Sequence, residues 1–140
     1  MEKKRPVAVF DIDGTLFRSS LLIELVERLI EHEIFPRESR EVYATEHTKW
    51  LERKGDYTSY IRKVIEVFGT QLKGVPYAVV ADAGGEIIEE MRDHVYCYTR
   101  DLVRDFKKKN YYLLAISHSP KFMVDGFGYE LGFDKSYGIF

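Results

Sequence analysis

The spacing of hydrophobic positions changes along this chain. Near the amino terminus an unbroken apolar run, residues 7–10, is followed at once by two acids, a glycine and a threonine. Unbroken runs of this length are typical of strands buried in a parallel sheet, whereas alternation indicates a strand with one solvated face. We therefore expect residues 7–10 to form a buried parallel strand with acidic residues at its carboxyl end.

Between about residues 20 and 92 the apolar residues recur every three or four positions, as they do on one face of a helix. Proline, glycine and charged residues interrupt this spacing three times. The pattern predicts four helices, at residues 20–34, 38–53, 57–68 and 76–92. The adjacent glycines Gly84 and Gly85 weaken the prediction of the fourth helix.

Helix and strand signals then alternate. A short helix with Leu102 and Phe106 on one face ends in three lysines and Asn110, a typical helix end. A second apolar run, residues 111–116, predicts a second buried strand. The polar residues 117–120 predict a turn that leads into another helix with a proline near its start, and a third strand begins near residue 135. This alternation favours an α/β fold with a parallel sheet.

The helical stretch of residues 18–94 is too long to be a single crossover between two strands. We expect it to form a small helical cap. The remaining residues, 1–17 and 95–140, would then form the α/β core, which is incomplete at its carboxyl-terminal end.

Composition narrows the classes of partner. The net charge is -2 with both signs mixed along the chain, which favours neither a nucleic-acid nor a membrane partner. The one cysteine, Cys97, excludes an internal disulfide framework and fits a reducing, cytoplasmic location. The apolar run after the basic amino terminus is too short for a signal peptide.

The two acids after the first strand, Asp11 and Asp13, are the strongest candidates for chemistry. Open α/β sheets bind ligands at the carboxyl ends of their strands. Side chains two residues apart on an extended segment share a face, so both carboxylates can reach one ligand while Ile12 is directed into packing. Gly14 predicts a tight turn whose backbone N–H groups can face an anion.

Residues 10–16, Phe-Asp-Ile-Asp-Gly-Thr-Leu, resemble the first motif of the haloacid dehalogenase superfamily of phosphatases. Residues 113–119 resemble its second motif, a strand that ends in serine or threonine, and the helical insertion is similar to that of the phosphoserine phosphatase-like branch. The resemblance implies a Rossmann-like sheet with a helical cap. It also implies that Asp11 attacks phosphorus to form an aspartyl-phosphate, while Asp13 acts as general acid and base.

The resemblance further implies phosphate contacts from Gly14, Thr15 and Ser117. It implies Mg²⁺, bound by Asp11 through its carboxylate and by Asp13 through its main-chain carbonyl. His118 is a candidate for a phosphate contact or a general base, with a solvent-facing loop histidine as the alternative. Ser119 is more typical of a helix cap than of a ligand.

Arg62 lies in a segment that resembles the cap segment presenting a substrate-binding arginine in phosphoserine phosphatases. The alternative is a solvated charge on a helix. In that branch a glutamate that meets the substrate amine is expected near Ser20, and it is absent here. The sequence therefore does not indicate phosphoserine itself as the substrate.

Two further motifs of the superfamily, a phosphate-binding lysine and a strand ending in metal-binding acids, follow the second motif by several tens of residues. Here the second motif reaches Ser117 in a chain of 140 residues, and neither Lys121 nor Lys135 has the expected context. Without the last strand, the first strand becomes an apolar sheet edge that invites pairing. We expect either an amino-terminal piece of a longer protein, or an edge covered by a second copy (a homodimer) or by a separate chain.

The sequence therefore predicts a Mg²⁺-dependent phosphomonoester hydrolase acting on a small phosphorylated metabolite. We expect this chain by itself to be inactive or impaired, since two groups of the active site are missing. The alternatives are a phosphotransferase that uses the same aspartyl-phosphate, and a non-catalytic domain that binds a phosphorylated ligand or a partner protein.

Overall fold

The structure, a computed structural model, describes residues 4–139. Three strands form one parallel sheet in the order β1-β2-β3, with β1 at Val7–Asp11, β2 at Tyr112–Pro120 and β3 at Lys135–Ile139. The α-helices of the described chain are α1 Leu21–Glu31, α2 Glu41–Leu51, α3 Tyr57–Gln71, α4 Tyr77–Met91, α5 Cys97–Lys108 and α6 Lys121–Leu131. The predicted α/β class with a parallel sheet is confirmed.

The pairing of β1 with β2 positions the candidate site. The two strands are parallel and in register from Val7 opposite Tyr112 to Asp11 opposite Ile116. The carboxyl end of β1 therefore lies beside the middle of the longer strand β2. The second strand predicted at residues 111–116 is present as part of β2, and it is the neighbour of β1.

The prediction that β1 is buried on both faces is wrong. Ala8 and Phe10 are buried, whereas Val7 and Val9 are each 57% exposed. Phe10 packs edge-on against Phe106 of α5 and against Phe133, with ring centroids 6.1 and 5.8 Å apart. Helices pack against this one face of the sheet. The exposure of the β1 residues therefore alternates, although the apolar run itself is unbroken.

The prediction of a polar turn at residues 117–120 is also wrong. β2 continues through these residues to Pro120, with a shift of its register against β3 between Ile116 and Pro120. The burial of β2 alternates here, so that Ser117 and Ser119 are buried while His118 between them is exposed. Polar residues can continue a strand in this way when their side chains find hydrogen-bonding partners.

The helices lie close to their predicted positions. The second predicted helix is divided into a 3₁₀ turn at Arg37–Arg40 and α2. α4 continues through its two glycines. A Cβ atom at Gly84 would approach the Phe122 ring to 2.5 Å, so the glycine leaves room for this ring. Gly126 of α6 similarly leaves room for the Ile88 side chain. Small residues on both helices thus permit close packing.

The chain divides into two compact units. One contains the residues up to Leu21 and those from Gly84 onward, and the other is Leu22–Ala83. The second unit is all helical, and its interior includes stacked rings of His47 and Tyr60 with centroids 4.7 Å apart. Among residues 4–139, no helix is both long enough and apolar enough to cross a bilayer.

Candidate active site

The loop after β1 is closed by its own backbone. The carbonyl of Ile12 accepts hydrogen bonds from the N–H groups of Thr15, Leu16 and Phe17, and Ile12 is fully buried. Gly14 has a positive φ of 74°, which permits the reversal of the chain. Its N–H donates to the carbonyls of Phe17 and Ser19 and is thus bonded inside the loop.

Asp11 is the last residue of β1 and is exposed. Its Oδ1 accepts a hydrogen bond from the Ile12 N–H at 2.9 Å, and its Oδ2 accepts one from the Thr15 hydroxyl at 3.3 Å. Each carboxylate oxygen has two lone pairs, so both retain the ability to bind a further group. Asp11 therefore presents an oriented, solvent-accessible carboxylate at the carboxyl end of the sheet.

Asp13 has a different environment. Its Oδ1 accepts hydrogen bonds from the Leu21 N–H at 2.8 Å and from the Ser119 hydroxyl at 3.0 Å, and its Oδ2 accepts one from the Ser117 hydroxyl. A carboxylate at the first N–H group of α1 is also favoured by the helix dipole. Asp13 thereby ties the loop after β1 to α1 and to β2.

The two acids do not share an extended segment, because β1 ends at Asp11 and Asp13 lies in the loop. The i, i+2 argument therefore does not describe their arrangement. Each carboxylate has its own set of partners: Asp11 bonds to neighbours in sequence, while Asp13 bonds to side chains more than a hundred positions away.

Ser119 joins Asp13 and Ser117 although its sequence context is typical of a helix cap. Its hydroxyl binds Asp13, its N–H donates to the Ser117 Oγ at 3.0 Å, and it is 3% exposed. The available signal was the two-residue spacing from Ser117, which places both hydroxyls on one face if the strand continues.

Two other candidates, His118 and Arg62, are both exposed. His118 is exposed on the opposite side of β2 from the two serines. Arg62 is exposed on α3, in the all-helical unit Leu22–Ala83, and no ion pair with it is found among the described residues. Their roles stay predictions.

The two candidate lysines have partners of their own. Lys121, the first residue of α6, forms an ion pair with Asp125 one turn later. The Lys135 Nζ lies 5.4 Å from the centre of the Tyr137 ring. Both contacts are local, within one helix or one strand.

The residues present fit a magnesium ion that is shared with a bound phosphate. Mg²⁺ commonly binds one or two carboxylates together with substrate phosphate oxygens and keeps several waters. Asp11 supplies such a carboxylate. Within residues 4–139, no group of three or more His, Cys, Asp or Glu side chains is arranged to hold a metal. The Asp13 carboxylate is bonded to protein donors, so a contact from this residue would come from its main-chain carbonyl.

The chain was compared with protein families, with curated proteins and with solved structures. The sequence pattern of the family described as haloacid dehalogenase-like hydrolase matches residues 8–139. No curated protein sequence matches the chain.

Three solved structures are similar in fold. One is a protein of unknown function from Bordetella pertussis Tohama I, with a TM-score of 0.67 at 14% identity over 97% of this chain and 60% of that one. Another is a phospho-aspartyl intermediate analogue of phosphoserine phosphatase, with a TM-score of 0.50 at 18% identity over 97% and 56%. The third is a substrate-bound phosphoserine phosphatase complex, with a TM-score of 0.52 at 18% identity over 98% and 57%. This chain thus spans 60% or less of the length of each.

Proposed function

We propose that this chain, which belongs to the family of haloacid dehalogenase-like hydrolases, is a phosphatase domain. Its substrate in this proposal is a small phosphorylated metabolite. The reaction is hydrolysis of a phosphate monoester in two steps through an aspartyl-phosphate. The observation that carries the proposal is the difference between the two acids: Asp11 is exposed and has free lone pairs, while Asp13 is held by three donors.

In the first step, an Asp11 carboxylate oxygen forms a bond to phosphorus as the bond between phosphorus and the ester oxygen breaks. The Ile12 N–H and the Thr15 hydroxyl orient the Asp11 carboxylate for this attack. Asp13, in its protonated form, gives its proton to the leaving oxygen. The alcohol product then departs.

In the second step, water attacks the phosphorus of the aspartyl-phosphate, and the bond between phosphorus and the Asp11 oxygen breaks. Asp13 now takes a proton from this water, which restores both acids and releases inorganic phosphate. The Asp11 carboxylate and the Asp13 main-chain carbonyl would hold a Mg²⁺ ion, which when bound would neutralise charge on the phosphate oxygens.

The experiment is Mg²⁺-dependent release of phosphate from an aryl phosphate ester by this chain. We expect turnover to be lost in Asp11→Asn, which removes the nucleophile with little change in shape. Asp105→Asn, an exposed acid on α5, is the matched control and should keep the activity of the parent chain. Phosphate release that is measurable and equal in the parent chain and in Asp11→Asn would refute the proposal.

Two observations favour a second candidate function. Lys121 is paired with Asp125 and Lys135 lies beside the Tyr137 ring. Among the described residues, no group of three or more His, Cys, Asp or Glu side chains is arranged to hold a metal. In this case the domain binds a phosphorylated ligand without turning it over. Calorimetry with phosphate and a phosphate monoester would then show binding that Asp11→Asn alters, without release of phosphate. Addition of an acceptor alcohol to the activity assay separates hydrolysis from phosphotransfer, since only transfer yields a new ester.

A further inference from the structure

A cleft of about 330 Å³ opens beside α5. Three aliphatic side chains line one part of it, and we call them the apolar wall: Val95, Val103 and Leu131. Small-molecule sites commonly have volumes of about 300–1,000 Å³ and an apolar lining with a few polar groups. All residues of the cleft lie in the unit that contains the sheet, and neither Asp11 nor Asp13 is among them. The cleft can therefore hold one small molecule outside the candidate active site.

Three arginines, Arg92, Arg100 and Arg104, also line the cleft. Arg100 and Arg104 lie one turn apart on α5, which places them on the same face of the helix. Both are paired with one oxygen of Asp101, which does not line the cleft: the Arg100 Nε donates to it at 3.0 Å, and the Arg104 guanidinium lies 3.6 Å from it. Because a guanidinium carries five N–H donors, the two arginines keep donors that can bind a carboxylate between them.

Two acids, Asp93 and Glu130, line the cleft together with the arginines. Glu130 lies 3.7 Å from the Arg92 guanidinium. The hydrogen bond to Asp101 raises the pKa of Arg100, and the negative charge of Asp93 raises it further, so Asp93 lies near Arg100. Within the described chain, no hydrogen bond to the Asp93 carboxylate is found. The cleft thus offers cationic and anionic groups side by side, and the acids would repel a ligand that carries only negative charge.

We propose that this cleft binds a free α-amino acid with an aliphatic side chain. The carboxylate of the amino acid binds N–H groups of Arg100 and Arg104, its ammonium group lies against Asp93, and its side chain packs on the apolar wall. In an α-amino acid both charged groups are attached to one carbon atom, which matches a carboxylate and guanidinium groups in the lining of one cleft. A phosphate ion would use the arginines alone, and an amine would use the acids alone.

Calorimetric titration of the parent chain with four small molecules tests the proposal. The probes are L-leucine, 4-methylpentanoate, which lacks the ammonium group, 3-methylbutylamine, which lacks the carboxylate, and inorganic phosphate. We expect L-leucine to bind about tenfold more tightly than either single-charge analogue, because each analogue loses one set of hydrogen bonds to charged groups. Phosphate at the same concentration should not displace L-leucine. Absence of L-leucine binding, equal affinity for 4-methylpentanoate, or displacement by phosphate would overturn the proposal.

Two variants separate the two charged contacts, and both change exposed side chains, so the core is not disturbed. Arg104→Gln should weaken L-leucine binding about tenfold. Asp93→Asn should weaken it by a similar factor and should remove the preference for L-leucine over 4-methylpentanoate, since the analogue has no ammonium group. The matched controls are Lys108→Gln and Asp105→Asn, which make the same changes of charge on exposed residues of α5. Both controls should bind L-leucine like the parent.

Three results with these variants would count against the cleft. The first is an Arg104→Gln chain that binds L-leucine as tightly as the Lys108→Gln chain. The second is an Asp93→Asn chain that keeps the full preference for L-leucine. The third is loss of L-leucine binding in Asp11→Asn, because Asp11 lies outside the cleft. Binding of L-leucine by a chain that releases no phosphate would still support the cleft, so this proposal and the proposed function fail separately.

Discussion

The Tyr43 hydroxyl donates a hydrogen bond to the Glu27 carboxylate and so links α2 to α1 within the all-helical unit. The second oxygen of the same carboxylate accepts the Arg40 Nε–H at 2.9 Å. Tyr43 is 3% exposed. One half-buried carboxylate thus satisfies a buried phenol and a guanidinium, and its hydrogen bond raises the pKa of Arg40.

We therefore expect Glu27→Gln to lower the free energy of unfolding by about 1–2 kcal/mol, because hydrogen bonds to charged groups are among the stronger ones. The matched control is Glu46→Gln, which removes an exposed ion pair with Lys49 one turn away on the same helix. Such pairs contribute less than about 0.5 kcal/mol. Urea unfolding of the three proteins measures both effects, and equal midpoints for the two variants would contradict the assignment.

The same cluster predicts how stability depends on pH. Burial raises the pKa of Tyr60 to about 12, and burial together with the bond to Glu27 raises the pKa of Tyr43 further. Tyrosine in an unfolded chain ionises near pH 10. Above that pH the unfolded chain loses these protons while the folded chain keeps them, so stability falls as the pH rises.

We expect the free energy of unfolding to decrease between about pH 10 and pH 12, and to decrease less in Tyr60→Phe. Below about pH 10 the phenol is neutral in both states and contributes no slope. Tyr129→Phe is the control, since Tyr129 is 83% exposed. If Tyr60→Phe and Tyr129→Phe lose stability with pH to the same extent, the burial of Tyr60 is not the cause.

The sequence was sufficient to predict the elements whose apolar residues repeat regularly. The spacing of Leu25, Val26, Leu29 and Ile30 predicts α1, and all four are buried. The pairing of β1 with β2 follows from two apolar runs and from the preference of parallel strands for adjacent positions. These features depend on neighbours in sequence or on a general rule of topology.

The features that the sequence did not predict depend on distant contacts. Ser119 continues β2 instead of starting a turn, and its hydroxyl binds Asp13, 106 positions earlier. The exposure of Val7 and Val9 depends on which face of the sheet receives helices, and an unbroken apolar run carries no such information. Contacts between residues far apart in sequence thus determine both the hydrogen bonds of Asp13 and the exposed face of the sheet.

Two glycines, Gly14 in the loop after β1 and Gly85 in α4, should respond to alanine in opposite ways. A Cβ atom at Gly14 would have no neighbour within 4 Å, but its φ of +74° disfavours any side chain. We expect Gly14→Ala to lower the free energy of unfolding by about 1–2 kcal/mol through backbone strain alone. The substitution should also displace Asp13, since the turn that follows Asp11 depends on the conformation of Gly14.

Gly85→Ala is the opposite case, because Gly85 lies inside α4 and also has open space at its Cβ position. Alanine there should raise the free energy of unfolding by about 0.5–1 kcal/mol, since alanine loses less backbone entropy in a helix. Urea midpoints of the two variants and the parent test the contrast. A stabilising Gly14→Ala would show that the left-handed turn is not kept.

The open edge of β1 predicts self-association. Among the described strands β1 pairs only with β2, so its other edge has unpaired backbone groups. Two copies of β1 that pair antiparallel about Ala8 would place Val7 opposite Val9 of the second copy. A short apolar edge without an inward charge is an open template for such pairing.

We expect the sedimentation coefficient of this chain to rise with protein concentration as dimers form. Val9→Lys should keep the chain monomeric, because a lysine on an edge strand opposes pairing. Ile65→Lys, which changes a 50% exposed residue of α3, should associate like the parent. A parent chain that stays monomeric at every concentration, or a Val9→Lys chain that still dimerises, would exclude β1 as the interface.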